Sequence, residues 1–321
     1  MTRILAAGLL AMVLAVLTGP RFIAWLRRRG IGQNIRDVGP ESHQGKQGTP
    51  TMGGLLILAA AAIPYLLLAG KTVPSLVVFV LTFGSGAIGL LDDLAKVRRR
   101  RSLGINGRTK MLLQLLLVLV VGWVAIRFAG VDSNVHVPLF NRELHFGGVY
   151  FLVVFFVISG FANTVNITDG LDGLAAGTVA TCLLAYTGIT FLLREPDLAI
   201  LAASLMGACV GFLWYNSFPA EIFMGDTGSL ALGASLAGFA VVTGTELLSV
   251  VIGGIFVVEG LSVIFQVISF RLFKRRILLM APIHHHFELR NWSETKIIVR
   301  FWIVTAIFAA AGFTIFYVDF R

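Results

Sequence analysis

Charged residues are scarce in this chain of 321 residues, where Asp, Glu, Lys and Arg together make up 13%. A soluble domain carries about 25% charged residues, so the composition argues against a soluble globular protein. Cysteine is also rare: Cys182 and Cys209 are the only two, and both lie inside apolar stretches. Two such thiols argue against a disulfide framework and against a cysteine-based zinc site.

The chain is instead rich in long apolar runs. Hydrophobic residues make up 57% of it, and the mean hydropathy is +0.86. Ten runs have about the 17–25 residues that a helix needs to cross a bilayer. We therefore predict an all-α polytopic membrane protein with about ten transmembrane helices, forming a single domain over residues 1–321. The predicted spans lie at about 4–26, 51–70, 74–91, 110–129, 147–163, 174–193, 197–215, 227–243, 247–270 and 297–318.

The distribution of Lys and Arg predicts the orientation of these spans. The net charge is +9, but the basic residues flank apolar runs, which is typical of a membrane protein and not of one that binds nucleic acid. With the N-terminus outside, 19 of the 26 basic residues fall in inner segments and six in outer segments. This bias places both termini in the periplasm. Alternating polar and apolar residues in an outer segment predict a short periplasmic hairpin near residues 132–146.

Every polar motif of note then falls on the inner, cytoplasmic side. Asp92 and Asp93 end the third predicted span, where the helix dipole and mutual repulsion disfavour adjacent carboxylates unless a cation intervenes. A local ion pair between Asp92 and Lys96, four residues further on, is the structural alternative.

Two further acidic motifs are associated with glycine. In NITDGLDG, Asp169 and Asp172 lie three residues apart, and Gly170 and Gly173 allow the backbone to approach a ligand. An N-cap would explain one of these acids but not both. In FMGDTGS, Asp226 is either the N-cap of the eighth span or a metal ligand beside the N–H donors of a helix start.

Three consecutive histidines, His284, His285 and His286, lie between the last two spans. They cannot all face one ion on a helix and no cysteines accompany them, so we interpret them as donors to phosphate oxygens and not as a zinc site. An exposed polar loop is the alternative. Glu259 is the only acid predicted in the middle of a span, where it is either functional or a helix–helix hydrogen-bond partner.

Acids, amides and cations that share one membrane face suit a magnesium ion that holds a diphosphate. The basic candidates on this face are Lys46, Lys96, Arg108 and Lys110. The general excess of positive charge on the inner side is a sufficient explanation for any single one of them.

The motifs resemble those of the phospho-N-acetylmuramoyl-pentapeptide transferases, a branch of the polyprenyl-phosphate N-acetylhexosamine-1-phosphate transferase superfamily. The similarity runs over about residues 40–296 and rests, in chain order, on SHQGKQGTPTMGG, DDLAK, NITDGLDGLA, FMGDTGS and APIHHHFEL. The histidine motif and the segment around Lys46 favour this branch over those that use N-acetylglucosamine phosphate.

The resemblance implies an activity and its site. The implied reaction joins UDP-N-acetylmuramoyl-pentapeptide and undecaprenyl phosphate to give lipid I and UMP in peptidoglycan synthesis, with Mg²⁺. The resemblance also implies a homodimer in the bacterial cytoplasmic (inner) membrane, with a cytoplasmic active site. By motif, Asp92, Asp93 and Asp226 are the catalytic acids, with Asp226 on the metal. The expected substrate-binding residues are Lys46, Lys96, Lys110, Asn163, Asn166, Asp169, Asp172, Asn216, Gln266, His284, His285 and His286, and Arg108 is the alternative to Lys110.

Two mechanisms and two other functions stay open at this point. The lipid phosphate attacks directly, with or without Asp92 taking its proton, or an Asp first forms a phospho-enzyme. Direct attack is favoured because a phosphate monoester with a second pKa of about 6 is largely dianionic at neutral pH. Transfer of N-acetylglucosamine-1-phosphate is the nearest other activity. A transporter is the alternative from another class, but its charged sites would lie near the midplane and not at helix ends.

Overall fold

The computed structural model describes residues 1–32, 47–99, 101, 103–140 and 142–320. Within these residues the chain forms twelve α-helices and a two-stranded sheet. Long helices are expected here, because in lipid a helix satisfies its backbone hydrogen bonds within one segment. The helices are α1 (Thr2–Arg28), α2 (Gly54–Leu68), α3 (Val73–Arg99), α4 (Gly107–Phe128), α5 (Tyr150–Thr168), α6 (Leu174–Leu192), α7 (Pro196–Asn216), α8 (Gly225–Val242), α9 (Glu246–Ile252), α10 (Gly254–Phe273), α11 (Ile283–Glu288) and α12 (Glu294–Phe320).

Nine of the described helices have the length and apolarity to cross a membrane: α1, α3 to α8, α10 and α12. The prediction of an all-α polytopic membrane protein is thereby confirmed. The second predicted span, 51–70, is shorter than expected, since α2 has 15 residues. The chain before α2 runs alongside the segment before α8, where Phe223 N–H donates to Pro50 O and Gly53 N–H donates to Phe223 O, both at 2.8 Å.

The ninth predicted span, 247–270, is wrong as a single helix. The structure breaks it at Gly253 into α9 and α10. The ring of Phe161 from α5 occupies the space beside this glycine, and a Cβ at Gly253 would lie 2.4 Å from Phe161 Cε1. Glycine is a poor helix former, and two adjacent glycines, Gly253 and Gly254, allow the helix to change direction while α5 packs against the break.

The centre of the bundle is formed by α6, α7 and α8. Between 72% and 83% of the residues in their spanning windows are buried, against 28% in α4, α10 and α12. Close packing depends on small residues, as is typical of membrane helices. At Gly89 in α3, a Cβ would lie 2.1 Å from the carbonyl oxygen of Asp226 in α8. The end of α3 is therefore held in backbone contact with the start of α8.

A β-hairpin lies at the end of the bundle opposite the contact between α3 and α8. Strands β1 (Asn134–Val137) and β2 (Arg142–His145) pair in antiparallel register, which confirms the hairpin predicted near residues 132–146. In β1, His136 Nε2 lies 2.5 Å from Asp319 Oδ2, near the end of α12. The hairpin is thereby joined to the last helix.

Candidate active site

The end of α3 and the start of α8 bring three carboxylates together. Asp92 and Asp93 are buried near the end of α3, and Asp226 is half-buried in the first turn of α8. Each residue offers a carboxylate oxygen, and these oxygens lie within 4.8 Å of one another. Among the described residues, this is the group of acids that could hold a metal ion. We call Asp92, Asp93 and Asp226 the acid cluster.

Two lysines supply compensating charge to the acid cluster. Lys96 Nζ lies 2.8 Å from Asp92 Oδ2, 3.5 Å from Asp93 Oδ1 and 2.6 Å from Asp226 Oδ1. Lys110 Nζ, from the first turn of α4, lies 2.5 Å from Asp226 Oδ2. The local ion pair between Asp92 and Lys96 thus exists, but the same ammonium group also serves the other two acids. Three carboxylates and two ammonium groups leave one formal negative charge, which favours a further cation.

Asp93 caps α8 from a different helix. Its Oδ1 accepts a hydrogen bond from the Asp226 N–H at 3.1 Å, and its Oδ2 accepts from the Thr227 N–H at 2.9 Å and hydroxyl at 2.7 Å. These bonds satisfy two N–H groups that a helix start leaves without an intrahelical partner. Gly225, at a φ of 73°, makes the turn into α8. The interpretation of Asp226 as the N-cap is therefore wrong, and its carboxylate is directed at the two lysines.

Asp92 holds the connection between α3 and α4. Its Oδ1 accepts a hydrogen bond from the Ile105 N–H at 3.0 Å. Gly104 packs so closely that a Cβ there would lie 2.5 Å from the carboxylate of Asp92. The adjacent acids therefore have different partners: Asp93 orders the start of α8, and Asp92 orders the loop that leads to Lys110.

The NITDGLDG motif forms the turn between α5 and α6, and neighbouring elements fix it on several sides. Asp172 Oδ2 accepts a hydrogen bond from the Ala220 N–H at 2.9 Å, and the Asp172 N–H donates to Glu294 Oε1 at 2.9 Å. The Gly173 N–H donates to Oδ1 of the buried Asn216 at 3.1 Å. The predicted residues Asp172 and Asn216 thus shape this turn together with the segment before α8.

Asp169 lies at the start of the same turn, where its charge interacts with the acid cluster. Burial, together with the negative charges of Asp226, Asp93 and Asp172, raises the pKa of Asp169 to about 8. Its carboxyl group therefore holds a proton more readily than an ordinary Asp. A cation bound beside it would favour the charged form and lower this pKa.

The two asparagines of α5 contact different helices. Asn166 Nδ2 donates to Ser229 Oγ, in the first turns of α8, at 2.8 Å. Asn163 Nδ2 donates to Gln114 Oε1 of α4 at 3.1 Å and to the Ser159 carbonyl at 2.7 Å. Asn166 therefore lies against the helix that carries Asp226, whereas Asn163 ties α5 to α4.

The three histidines lie on α11 and are directed at different groups. His284 Nδ1 lies 3.0 Å from Glu259 Oε1 in α10, and both side chains are fully buried. His285 Nδ1 lies 2.5 Å from Glu288 Oε2, and His286 Nδ1 accepts a hydrogen bond from a backbone N–H of the preceding loop at 3.1 Å. The three rings therefore have three different partners.

Gln266, Lys46 and the choice between Lys110 and Arg108 complete the comparison with the predicted residues. The amide of Gln266 in α10 binds the backbone of residues 277–278, with three hydrogen bonds of 3.0 Å. Lys46 lies outside the described residues. Of the two alternatives in α4, it is Lys110 whose ammonium group contacts Asp226, while the side chain of Arg108 is exposed.

Sequence reasoning did not select Gln114 or Glu294. Gln114 is a buried amide inside an otherwise apolar span, and that polarity is the signal that would have identified it. Glu294 begins α12, where an acid is common because it complements the helix dipole. Nothing in the sequence connects it with the distant NITDGLDG turn that it binds.

Comparison with known proteins defines the class to which this bundle belongs. A family model described as Glycosyl transferase family 4 matches residues 75–244. This range runs from the start of α3 to just beyond α8 and contains the whole acid cluster. A second match, described as Phospho-N-acetylmuramoyl-pentapeptide-transferase signature 1, covers residues 46–58.

Full-length relatives define the family more narrowly. A phospho-N-acetylmuramoyl-pentapeptide-transferase of Rubrobacter xylanophilus is 46% identical over 323 residues, covering 99% of this chain and 98% of the relative. Proteins of the same name from Frankia casuarinae and a Geobacillus species are 45% and 44% identical, over 100% and 95% of this chain and 98% and 95% of the relatives. The chain therefore belongs to the phospho-N-acetylmuramoyl-pentapeptide-transferase family of multi-pass membrane transferases.

Proposed function

We propose that this protein transfers phospho-N-acetylmuramoyl-pentapeptide from UDP-N-acetylmuramoyl-pentapeptide to undecaprenyl phosphate, giving lipid I and UMP. The names of the full-length relatives support this reaction. The observation that carries it is the acid cluster with Lys96 and Lys110 at one end of a membrane bundle. A water-soluble nucleotide-sugar and a lipid-bound phosphate can meet only at such a membrane face.

The reaction exchanges one phosphorus–oxygen bond for another. An oxygen of the lipid phosphate bonds to the phosphorus attached to the sugar, and the bond from that phosphorus to UMP breaks, with its electron pair leaving on UMP. Both reactants are anionic, so neutralising their charge is the first requirement. A bound magnesium ion would supply charge neutralisation and orientation of the diphosphate oxygens.

We assign Asp226 to the magnesium ion. Both of its oxygens are directed at cations, Lys96 at 2.6 Å and Lys110 at 2.5 Å. The oxygens of Asp93 accept three hydrogen bonds from the start of α8, so Asp93 orients this helix and thereby Asp226. The two lysines provide the positive charge that phosphate oxygens require.

The same contacts support direct attack by the lipid phosphate. A phospho-enzyme needs an Asp whose oxygen is free to attack phosphorus. Asp93 is held by three hydrogen bonds from α8, Asp226 is assigned to the magnesium ion, and Asp92 lies against Lys96 and the loop before α4. Incubation with radiolabelled donor and magnesium, without lipid phosphate, should leave the protein unlabelled. A labelled Asp adduct recovered from that incubation would contradict direct attack.

We further propose that the site faces the cytoplasm of a bacterial inner membrane and that the assembly is a homodimer. Both termini then lie in the periplasm, with the short helix α2 as a tenth crossing. Gly54 at its start packs against Gly228 of α8, and Gly70 just beyond its end donates to Asp197 at the opposite end of the bundle. The excess of Lys and Arg on the inner side supports the orientation. The NITDGLDG turn and the histidine helix then lie on this same side, with the ring of His284 against Gly170. The residues that we assign to substrate binding there are Lys46, Lys96, Lys110, Asn163, Asn166, Asp169, Asp172, Asn216, Gln266, His284, His285 and His286.

One assay tests the whole proposal. The purified protein in detergent is given undecaprenyl phosphate, magnesium, and either UDP-N-acetylmuramoyl-pentapeptide or UDP-N-acetylglucosamine, and released UMP is measured. We expect UMP release only with the muramoyl donor, and only when both lipid phosphate and magnesium are present. Release with the glucosamine donor would favour the neighbouring branch of the superfamily. Release that does not depend on lipid phosphate would contradict the transfer reaction.

A further inference from the structure

A buried acid–histidine pair joins α10 to α11 beside the NITDGLDG turn. Glu259 Oε1 and His284 Nδ1 lie 3.0 Å apart, and both side chains are 0% exposed. Glu259 belongs to a helix long and apolar enough to span the membrane. An ionisable group at such depth is costly unless it is paired, and is retained mainly where it has a functional role.

The pair is incompletely satisfied. Within the described part of the chain, Glu259 Oε2 and His284 Nε2 are both buried without a hydrogen-bond partner. A buried polar atom without a partner costs roughly 1–3 kcal/mol, and apolar side chains of similar volume are often no less stable than a buried ion pair. Stability alone therefore does not explain why these two side chains are present.

The unpartnered edge of the histidine lies against the NITDGLDG turn. A Cβ added at Gly170 would lie 2.5 Å from His284 Nε2. Gly170 follows Asp169, whose charge interacts with Asp226 and Asp93. A line of contact therefore runs from Glu259 through the ring of His284 to the backbone beside Asp169.

We propose that Glu259 is a positioning residue that holds the proton of His284 on Nδ1 and keeps the ring against Gly170. This inference rests on the function proposed above, because the turn that it positions belongs to the same site. A carboxylate that accepts the N–H of a histidine fixes both the tautomer and the orientation of the ring. With the proton on Nδ1, Nε2 presents a lone pair to Gly170. The opposite tautomer would direct an N–H at Gly170 where no acceptor lies among the described residues.

Substitution of Glu259 by Met separates positioning from structural support. Methionine is close to glutamate in volume but has no oxygen to accept the N–H of His284, so nothing holds the proton on Nδ1. We expect kcat for UMP release to fall about 10- to 100-fold, as for other residues that orient a functional histidine. The KM values should stay within about twofold, and the Tm in detergent should not fall, because the variant removes a carboxylate from the membrane interior.

The tautomer is measured directly by ¹⁵N NMR of the full-length protein labelled at histidine, with the His284→Gln variant identifying the signal. The expected result is a proton on Nδ1 in the unaltered protein and a proton wholly or partly on Nε2 in Glu259→Met. Glu288→Met, which changes the neighbouring His285 pair on the same helix, is the matched control and should leave the proton of His284 on Nδ1. Because Glu259 acts through His284, Glu259→Met should add no further loss of kcat to His284→Gln.

Three results would overturn the inference: a proton on Nε2 of His284 in the unaltered protein, normal kcat in Glu259→Met, or a joint fall of kcat and Tm in that variant. The NMR result does not depend on catalysis. If the unaltered protein released no UMP, the proposed function would fail, and the position of the proton would still decide whether Glu259 orients His284.

Discussion

Buried acids at the two ends of the helix bundle have different kinds of partner. At the end that holds the site, three carboxylates lie within 4.8 Å of one another and share two ammonium groups. At the opposite end, Asp197 stands apart from other acids. Its oxygens accept hydrogen bonds from the N–H groups of Gly70 and Thr72 at 2.7 and 3.0 Å, which joins α7 to the turn before α3.

Asp319 follows the pattern of Asp197. It contacts His136 and the N–H of Leu139, and so joins α12 to the hairpin. Glu246 also links two elements by accepting a hydrogen bond from the hydroxyl of Tyr150, but its buried Oε2 has no partner among the described residues. An acid whose two oxygens are matched by their own donors is thus a structural link. Acids that are crowded together and share too few cations are instead suited to bind a ligand.

Asp226→Asn tests the end that holds the acid cluster most directly, and it has the largest expected effect. The amide removes the charge that attracts Lys96, Lys110 and a metal ion, while its volume is nearly unchanged. We expect UMP release to fall by about 10³-fold, in line with the loss of a group that stabilises transition-state charge. The Tm in detergent should change little, because the cap on α8 comes from Asp93. Near-normal turnover in a folded variant would contradict the assignment of Asp226 to the metal.

Asp93→Asn distinguishes the two adjacent acids of α3. The amide nitrogen cannot accept hydrogen bonds, so one or more of the donors at the start of α8 lose their acceptor and Asp226 shifts. We expect activity to fall about 10- to 100-fold, and the loss of the cap to cost about 1–2 kcal/mol of stability. The measurements are UMP release against magnesium concentration, and Tm.

Thr227→Val is the matched control for Asp93→Asn. It removes the hydroxyl that donates to Asp93 Oδ2 at 2.7 Å and keeps the backbone N–H bond to the same oxygen. The losses of activity and of Tm should therefore be smaller than in Asp93→Asn. If Asp93→Asn lost activity with no change in magnesium dependence or Tm, Asp93 would act in the chemistry itself and not through α8.

Much of the fold follows from local chemistry, and its exceptions come from tertiary contacts. The apolar runs predicted the helices because a run of about 20 apolar residues can form a membrane-spanning helix whatever packs against it. The break at Gly253 depends on the ring of Phe161, about ninety residues earlier in the chain. The late start of α2 depends on backbone bonds to Phe223. Neither contact has a counterpart in the local sequence.

The members of the site were easier to predict than their roles. Asp92 and Asp93 were selected because adjacent carboxylates at the end of a helix are costly, and Asp226 because it opens a helix in a glycine-containing motif suited to a metal ligand. The structure brings all three together. The capping of α8 by Asp93 was not predictable, because sequence rules look for a cap in the residues just before a helix. Glu294 was missed for a similar reason, since it acts on a distant segment, whereas the polarity of Gln114 inside an apolar span was a signal that could have identified it.

Asp197→Asn tests the opposite end, where we expect stability and not catalysis to change. The amide can present its oxygen to only one of the N–H groups of Gly70 and Thr72, and the other N–H then faces an NH₂ group. A buried donor without an acceptor costs roughly 1–3 kcal/mol. The Tm in detergent should fall accordingly, while kcat for UMP release stays within about twofold. A large loss of kcat at unchanged Tm would show that the two ends do not act independently.

Asp319→Asn has the smallest expected effect, because its pair with His136 is partly open to solvent. The side chains of His136 and Asp319 are 35% and 18% exposed, and exposed ion pairs contribute about 0.2–1 kcal/mol. We expect a small fall in Tm and no change in kcat. Glu143→Gln, which alters an exposed contact within the hairpin itself, is the control and should have still less effect on Tm. If Asp319→Asn slowed UMP release, the hairpin would communicate with the site through α12, whose first residue, Glu294, already binds the NITDGLDG turn.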